Sequence, residues 1–124
     1  MKKLVSMSLV LLFVMLSCTG RKHIPSGILK PDKMEKVLYD VIVAEGYAES
    51  YLFKDSSKTK VEWMNQEVDK VLAIHKVSQE TFMKSYDFYK SRPDLFKPIA
   101  DSMNEKSQRN RERVFDKTIR ETLE

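Results

Sequence analysis

The chain has 124 residues, of which 22 are lysine or arginine and 18 are aspartate or glutamate, giving a formal net charge of +4 at neutral pH. This length suits one small domain. Lys2 and Lys3 stand at the very start, and without them the opposite charges nearly balance, so the composition argues against nucleic-acid binding. The single cysteine excludes an intramolecular disulfide, so the stability of the domain must come from apolar packing.

The first eighteen residues have the order of an export signal. Lys2 and Lys3 precede an apolar run that extends from Leu4 to Leu16, and the small residue Ser17 then precedes Cys18. A membrane-spanning helix needs ~20 apolar residues, and only about a dozen are present here. The pattern therefore predicts a cleaved signal rather than a spanning helix.

Two kinds of signal fit this start. An ordinary secretory signal fits the charge and the length, although Met15 disagrees with the small-x-small pattern that normally precedes a cleavage after Ser17. The sequence Met15-Leu16-Ser17-Cys18 resembles the lipobox of bacterial lipoproteins in its last two positions and departs from it in the first two. The resemblance implies that residues 1–17 are removed, that Cys18 is acylated, and that the lipid anchors the protein to a membrane.

A tether is predicted next, over residues 18–29. It contains Gly20, Pro25 and Gly27 together with Arg21 and Lys22, and it has no helical or alternating apolar period. We expect residues 18–29 to be a lipidated, flexible tether and residues 30–124 to be the folded domain.

Four helices are predicted in that domain, at about residues 31–53, 59–76, 79–91 and 93–121. Pro31 suits the first helical turn, Ser78 is a good N-cap, and Pro93 ends the third helix and opens the fourth. No hairpin signal such as Asn-Gly, and no sustained alternation, occurs along the chain. The sequence therefore predicts an all-α fold, a small irregular bundle of three to four helices.

The end of the fourth helix lacks a continuous apolar stripe. Lys106 and Asn110 occupy the positions that would continue it, so residues 104–124 are predicted to be helical but partly detached from the core. This segment is basic. Arg109, Arg111 and Arg113 either form a solvated helix face or contact an anionic membrane surface.

Glu45 breaks the apolar pattern of the first helix. It stands between Val41 and Ala48 in the predicted buried stripe, where an unpaired carboxylate would be costly. We expect Glu45 and His75 to be buried polar residues, with Glu45 bonded to Tyr86, Tyr89 or His75 from facing helices. The alternative is that Glu45 marks a polar pocket or a partner-facing groove. Asp40 lies off the stripe and is expected to be a solvated acid.

Aromatic residues line one side of the third helix. Phe82, Tyr86 and Tyr89 recur at i, i+4 and i+7. This spacing is typical of a closed core, and the alternative is the wall of a groove.

Catalytic patterns are not found. The cysteine would be blocked by lipid, His75 is the only histidine expected in the folded body, and no H-E-x-x-H, calcium-loop or phosphate-loop pattern occurs. We therefore expect a non-enzymatic protein with no catalytic residue, metal site or cofactor.

Several short segments carry a resemblance to a known family. These are Ile24-Pro25, Lys33-Met34, Leu38-Tyr39-Asp40, Ala44-Glu45 and Val77-Ser78-Gln79-Glu80-Thr81-Phe82, with Tyr86, Tyr89 and Pro93. Together they resemble the Bacteroidetes lipoproteins grouped as domain of unknown function 4296, roughly from Ile24 to Asn104. The resemblance implies an export signal, a lipid-bearing cysteine and a short helical domain, and it implies no particular activity.

The same resemblance bears on location. Some Bacteroidetes lipoproteins reach the cell surface through an acidic signal just after the cysteine, whereas Arg21 and Lys22 are basic. We therefore expect a lipid-anchored envelope protein that faces the periplasm.

Two functions remain open. The first is a non-enzymatic interaction module that docks on a protein partner in the envelope. The second is a chaperone-like or ligand-holding domain with an aromatic groove. The segment from His75 to Phe82 is also similar, over this short stretch, to helical substrate-binding segments of periplasmic parvulin-type chaperones.

Overall fold

The computed structural model describes residues 23–123, which fold into four helices. Helix α1 is Pro31–Tyr51 and leads into a 3-10 turn, Leu52–Lys54. Helices α2, α3 and α4 are Lys60–His75, Gln79–Lys90 and Pro93–Leu123. No strand occurs in the described part of the chain, and the all-α prediction is confirmed.

Local signals set the starts of the helices. Pro31 occupies the first turn of α1, where its missing N–H is not needed. Thr59 and Glu62 form a capping box at the start of α2, and the Ser78 side chain accepts a hydrogen bond from the Thr81 N–H at the start of α3. Each of these side chains satisfies backbone donors that the helix itself leaves free.

Helix α2 ends in a tight turn at Lys76. This residue has a left-handed backbone conformation, with φ of 55°. Its N–H donates to the Ala73 carbonyl at 3.1 Å, and the Val77 N–H donates to the Leu72 carbonyl at 3.0 Å. These two bonds form a Schellman motif, which turns Val77 back to pack against the core that contains Leu72.

The core lies around α1, which contacts each of the other three helices. The buried side chains come from all four helices: Met34, Val37, Leu38, Val41, Leu72, Phe82, Tyr89, Leu95 and Ile99. In α1 they recur three or four residues apart, as the sequence pattern predicts. Burial of this stripe under α2, α3 and α4 makes the four helices one folding unit.

The segment before α1 packs onto the bundle rather than hanging free. Ile24, Ile28 and Leu29 lie against the core. The Leu29 N–H donates to Ser85 Oγ at 2.9 Å, and the Tyr89 hydroxyl donates to the Leu29 carbonyl at 2.7 Å. Residues 24–29, which we call the N-terminal strap, therefore differ from the flexible tether expected there, because apolar contacts and two α3 side chains hold them.

Helix α4 is continuous, but its environment changes near Asn110. The Asn110 amide donates to the Tyr39 hydroxyl at 2.8 Å, and the Lys106 ammonium lies 4.0 Å from the centre of the Tyr39 ring. The polar residues that interrupt the apolar stripe thus attach α4 to α1. Beyond them, residues 111–123 are all exposed; we call this segment the C-terminal tail.

Candidate functional site

Large apolar side chains are exposed along the second half of α1. Ile42 and Tyr47 are each 50% exposed, Val43 is 55% exposed and Tyr51 is 65% exposed. A patch of such residues on a small protein commonly marks a binding surface. Two clefts lie beside these residues, one on each flank of α1.

The first cleft lies between α1 and α2, and we call it the α1–α2 cleft. Its volume is about 390 Å³, and its lining residues are Asp40, Val43, Ala44, Tyr47, Val71, Ile74 and His75. Ile74 is 78% exposed although it is apolar. The walls are therefore mainly apolar, with polar groups confined to Asp40, His75 and the Tyr47 hydroxyl.

A polar cluster connects α1 with the end of α2 beside this cleft. His75 Nε2 lies 2.7 Å from Asp40 Oδ2, and the Lys33 ammonium donates to the His75 carbonyl at 2.9 Å. A lysine beside the last carbonyls of a helix also opposes the negative end of the helix dipole. Asp40, expected to be a solvated acid, has a side chain that is 46% exposed, and its carboxylate also contacts His75 and holds the imidazole against α1.

The second cleft lies on the other flank, and we call it the Glu45 cleft. Its volume is about 310 Å³, and its lining residues are Leu38, Val41, Ile42, Glu45, Phe82, Met83, Tyr86 and Phe96. Three helices contribute to its walls. The rings of Phe82 and Tyr86 are stacked, with centroids 6.3 Å apart and an interplanar angle of 24°.

The expectation of a buried, bonded Glu45 does not hold. Glu45 is only half-buried, and its carboxylate makes no hydrogen bond or ion pair with any residue in the range 23–123. Its expected partners are engaged elsewhere, since His75 contacts Asp40 and Tyr89 contacts Leu29. The cleft is open, so water reaches the carboxylate and the cost of an unpaired buried charge does not arise.

The three aromatic residues of α3 divide between core and cleft. Tyr89 is fully buried and Phe82 is nearly so, whereas Tyr86 is half-buried. Burial, and then the negative charge of Asp32, raises the pKa of Tyr89, which keeps its hydroxyl protonated as a hydrogen-bond donor. Tyr89 therefore belongs to the core, while Phe82 and Tyr86 form a wall of the Glu45 cleft.

The three arginines near the end of α4 have different surroundings. Arg109 lies 3.5 Å from Glu105, and Arg113 donates to the Asn110 side chain. Arg111 is exposed and has no side-chain partner among the residues that the structure describes. Two of the three arginines that the sequence places together, Arg109 and Arg113, thus interact with side chains of α4 itself.

Cys18 lies outside the described residues. Within residues 23–123, no group of three or more histidines, cysteines or carboxylates is placed to hold a metal ion. The α1–α2 cleft was missed by sequence reasoning, although Asp40, Val43 and Tyr47 recur at i, i+3 and i+7 and so mark a second stripe on α1.

Comparison with known proteins identifies a family. A family model described as a domain of unknown function (DUF4296) matches residues 25–113, which is more than half of the chain. The chain therefore belongs to this family. Neither the curated proteins nor the solved structures contain a match to it. None of the helices in the described range 23–123 combines the length and the apolar character needed to cross a membrane.

Proposed function

We propose that this protein is a lipid-anchored, non-enzymatic adaptor of the bacterial cell envelope, which docks a partner protein on its α1–α2 cleft. The observation that carries the proposal is the set of exposed apolar residues at that cleft, above all Val43, Tyr47 and Ile74. Aromatic and aliphatic side chains that line a concave surface are typical anchors of protein interfaces. The rim provides Asp40 and His75 for polar contacts.

The start of the sequence supports the anchor. The lipobox-like end at Ser17-Cys18 would place a lipid six residues before the N-terminal strap begins, with five residues between them. Because five extended residues span at most ~18 Å, the folded domain would be held close to the membrane surface. A short connection of this kind suits a protein that presents a fixed docking surface near a bilayer.

The composition of the cleft favours binding over catalysis. An acyl-transfer site places a nucleophile within hydrogen-bonding distance of a histidine, which an acid orients in turn. His75 and Asp40 supply the second and third groups, but the residues that line the α1–α2 cleft include no serine, threonine or cysteine. The Asp40–His75 contact is better explained as a structural interaction that holds α1 and α2 together.

Photocross-linking in living cells tests the docking surface. A photoreactive residue placed at Tyr47 or Ile74 should give a discrete adduct with one envelope protein. The matched control is Asp69, which is exposed on another part of α2 and lines neither cleft. Adducts of equal yield at all three positions, or none at Tyr47 and Ile74, would contradict docking at this cleft.

Fractionation tests the anchor separately. The unmodified protein should incorporate labelled fatty acid and sediment with membranes. Cys18→Ser should abolish the label and release the protein into the soluble fraction. A Cys18→Ser variant that still carries the label would contradict acylation at this position.

The second candidate is a ligand-holding or chaperone-like domain. It is favoured by the Glu45 cleft, where the half-buried ring of Tyr86 stacks on the buried ring of Phe82 beside a carboxylate. An apolar fluorescent probe should then bind the purified protein, and Tyr86→Ala should weaken that binding. Equal binding by the unmodified protein and by Tyr86→Ala would dismiss this candidate.

A further inference from the structure

Glu45 and Arg111 are two charged side chains that have no counter-ion in the part of the chain that the structure describes. Glu45 lies at the open cleft walled by Phe82, Tyr86 and Phe96. Arg111 is the first residue of the C-terminal tail. In the part of the chain that the structure describes, neither side chain makes a hydrogen bond or an ion pair.

Arg111 differs in this respect from the arginines beside it. Arg109 lies close to Glu105, and Arg113 donates to Asn110. Arg111 lies four residues before Phe115, so the two share one side of the helix. Phe115 is 65% exposed. This side of the tail therefore presents a guanidinium beside an aromatic ring, which complements the carboxylate and aromatic wall of the Glu45 cleft.

The tail also lacks packing against the other helices. All of its thirteen residues are exposed, including Val114, Ile119 and Leu123. A helix of this length without tertiary packing is marginal in water. A docked partner would supply the missing burial.

The tail is too far from the Glu45 cleft to occupy it within one molecule. Phe96 lines that cleft and belongs to the same helix as Arg111. A rise of ~1.5 Å per residue places the two residues about 22 Å apart along α4. A C-terminal tail that docks on this cleft must therefore come from another copy of the chain.

A second copy of this protein meets that requirement. If two α4 helices lie antiparallel, with the two-fold axis near Met103 and Asn104, then Arg111 of each copy lies opposite Phe96 of the other. Helical periodicity puts Phe96, Ala100, Ser107 and Arg111 on one side of α4. The small side chains of Ala100 and Ser107 allow the two helices to approach closely near the axis.

We propose that the chain forms a two-fold dimer along α4, in which Arg111 and Phe115 of each copy dock on the Glu45 cleft of the other. The contact is isologous, so both carboxylates gain a guanidinium at once. The dimer involves the flank of α1 opposite the α1–α2 cleft and does not depend on the proposed adaptor role.

Charge reversal provides a specific test. In Glu45→Arg, each copy would bring its new arginine against Arg111 of the other, and in Arg111→Glu, two carboxylates would meet. Neither variant should self-associate. A mixture of the two variants should associate, because position 45 of each copy then faces the opposite charge at position 111.

The experiment uses full chains that carry two different tags, coexpressed and solubilised in detergent. Co-purification of the unmodified pair sets the reference. Each reversed variant should lose at least about tenfold in co-purified yield with itself, and the mixed pair should recover most of it. Arg120→Glu is the matched control, because it makes the same charge change on the other side of the tail and should behave like the unmodified chain.

Four results would overturn the proposal: an unmodified chain that does not co-purify with itself, a reversed variant that still does, a mixed pair that fails to associate, or a control that loses association. If a reversal unfolds the chain, Glu45→Gln and Arg111→Gln decide the matter, and unchanged association of both overturns the dimer. Unchanged association, with vesicle binding that disappears when Arg109, Arg111 and Arg113 become Gln, would assign the tail to an anionic membrane instead.

Discussion

One of the two hydrogen bonds that hold the N-terminal strap on α3 comes from a buried hydroxyl, and Tyr89→Phe tests its contribution. Tyr89 is fully buried, and its hydroxyl donates to the Leu29 carbonyl at 2.7 Å. The substitution keeps the ring and removes the donor, which leaves the carbonyl of Leu29 without its partner. Loss of such a bond costs about 1–3 kcal/mol, because the remaining group is still desolvated. For a domain of this size, each kcal/mol lowers Tm by about 4–8 °C.

Two measurements check this result. Thermal unfolding should show the lower Tm, and hydrogen exchange should become faster at the amides of Ile28 and Leu29, since the strap loses one of its two bonds to α3. Tyr86→Phe is the matched control. Tyr86 lies one turn earlier on α3, and its hydroxyl makes no hydrogen bond within residues 23–123. If Tyr86→Phe lowers Tm as much as Tyr89→Phe, the argument for the strap is refuted.

Three further predictions concern two helix ends and the hydrogen bond between α1 and α4. Lys76→Gly should stabilise the protein in urea unfolding by about 0.5–1 kcal/mol, because glycine adopts the left-handed conformation without the steric cost that lysine bears; an unchanged midpoint would contradict this. Donation by the Thr59 N–H, and then by its hydroxyl, lowers the pKa of Glu62 from its ordinary value of 4.5. The Glu62 carboxylate therefore stabilises the folded protein above pH 4.5, and this stabilisation is lost as the pH falls through its lower pKa in the folded state. Glu62→Gln should accordingly be less stable than the unmodified protein in urea titrations at neutral pH and equally stable in strongly acidic ones. Tyr39→Phe removes the acceptor for the Asn110 amide and should speed hydrogen exchange around Asn110 at a cost of about 0.5–1.5 kcal/mol; unchanged exchange there would show that this bond does not hold α4.

The strap also affects how the protein would work at a membrane. If residues 24–29 were flexible, the docking surface could move over a wide range above the bilayer. Because Ile24, Ile28 and Leu29 are packed, only residues 19–23 would separate a lipid on Cys18 from the folded domain. Variants that release the strap should therefore change partner contact in cells without changing the lipid.

The sequence by itself located the four helices and placed each of their ends to within about two residues. Proline at positions 31 and 93, and capping side chains at Thr59 and Ser78, act within one turn of the residues they affect. The buried stripe of α1 follows from the helical period, because packing on one side of a helix requires apolar residues three or four positions apart. These signals are local, so no knowledge of the neighbouring helices is needed to find them.

The tertiary structure alone decided which polar groups meet. Asp40 and His75 are 35 positions apart, and Tyr39 and Asn110 are 71 apart. Glu45 and Asn110 are polar residues at positions where the helical period predicts apolar ones. In the folded protein Glu45 lies at an open cleft, and Asn110 forms a hydrogen bond with Tyr39 of α1. The apolar pattern of the sequence shows which face of a helix is buried. The partner of a polar group depends instead on how the helices cross and on where each helix ends, which only the packed bundle determines.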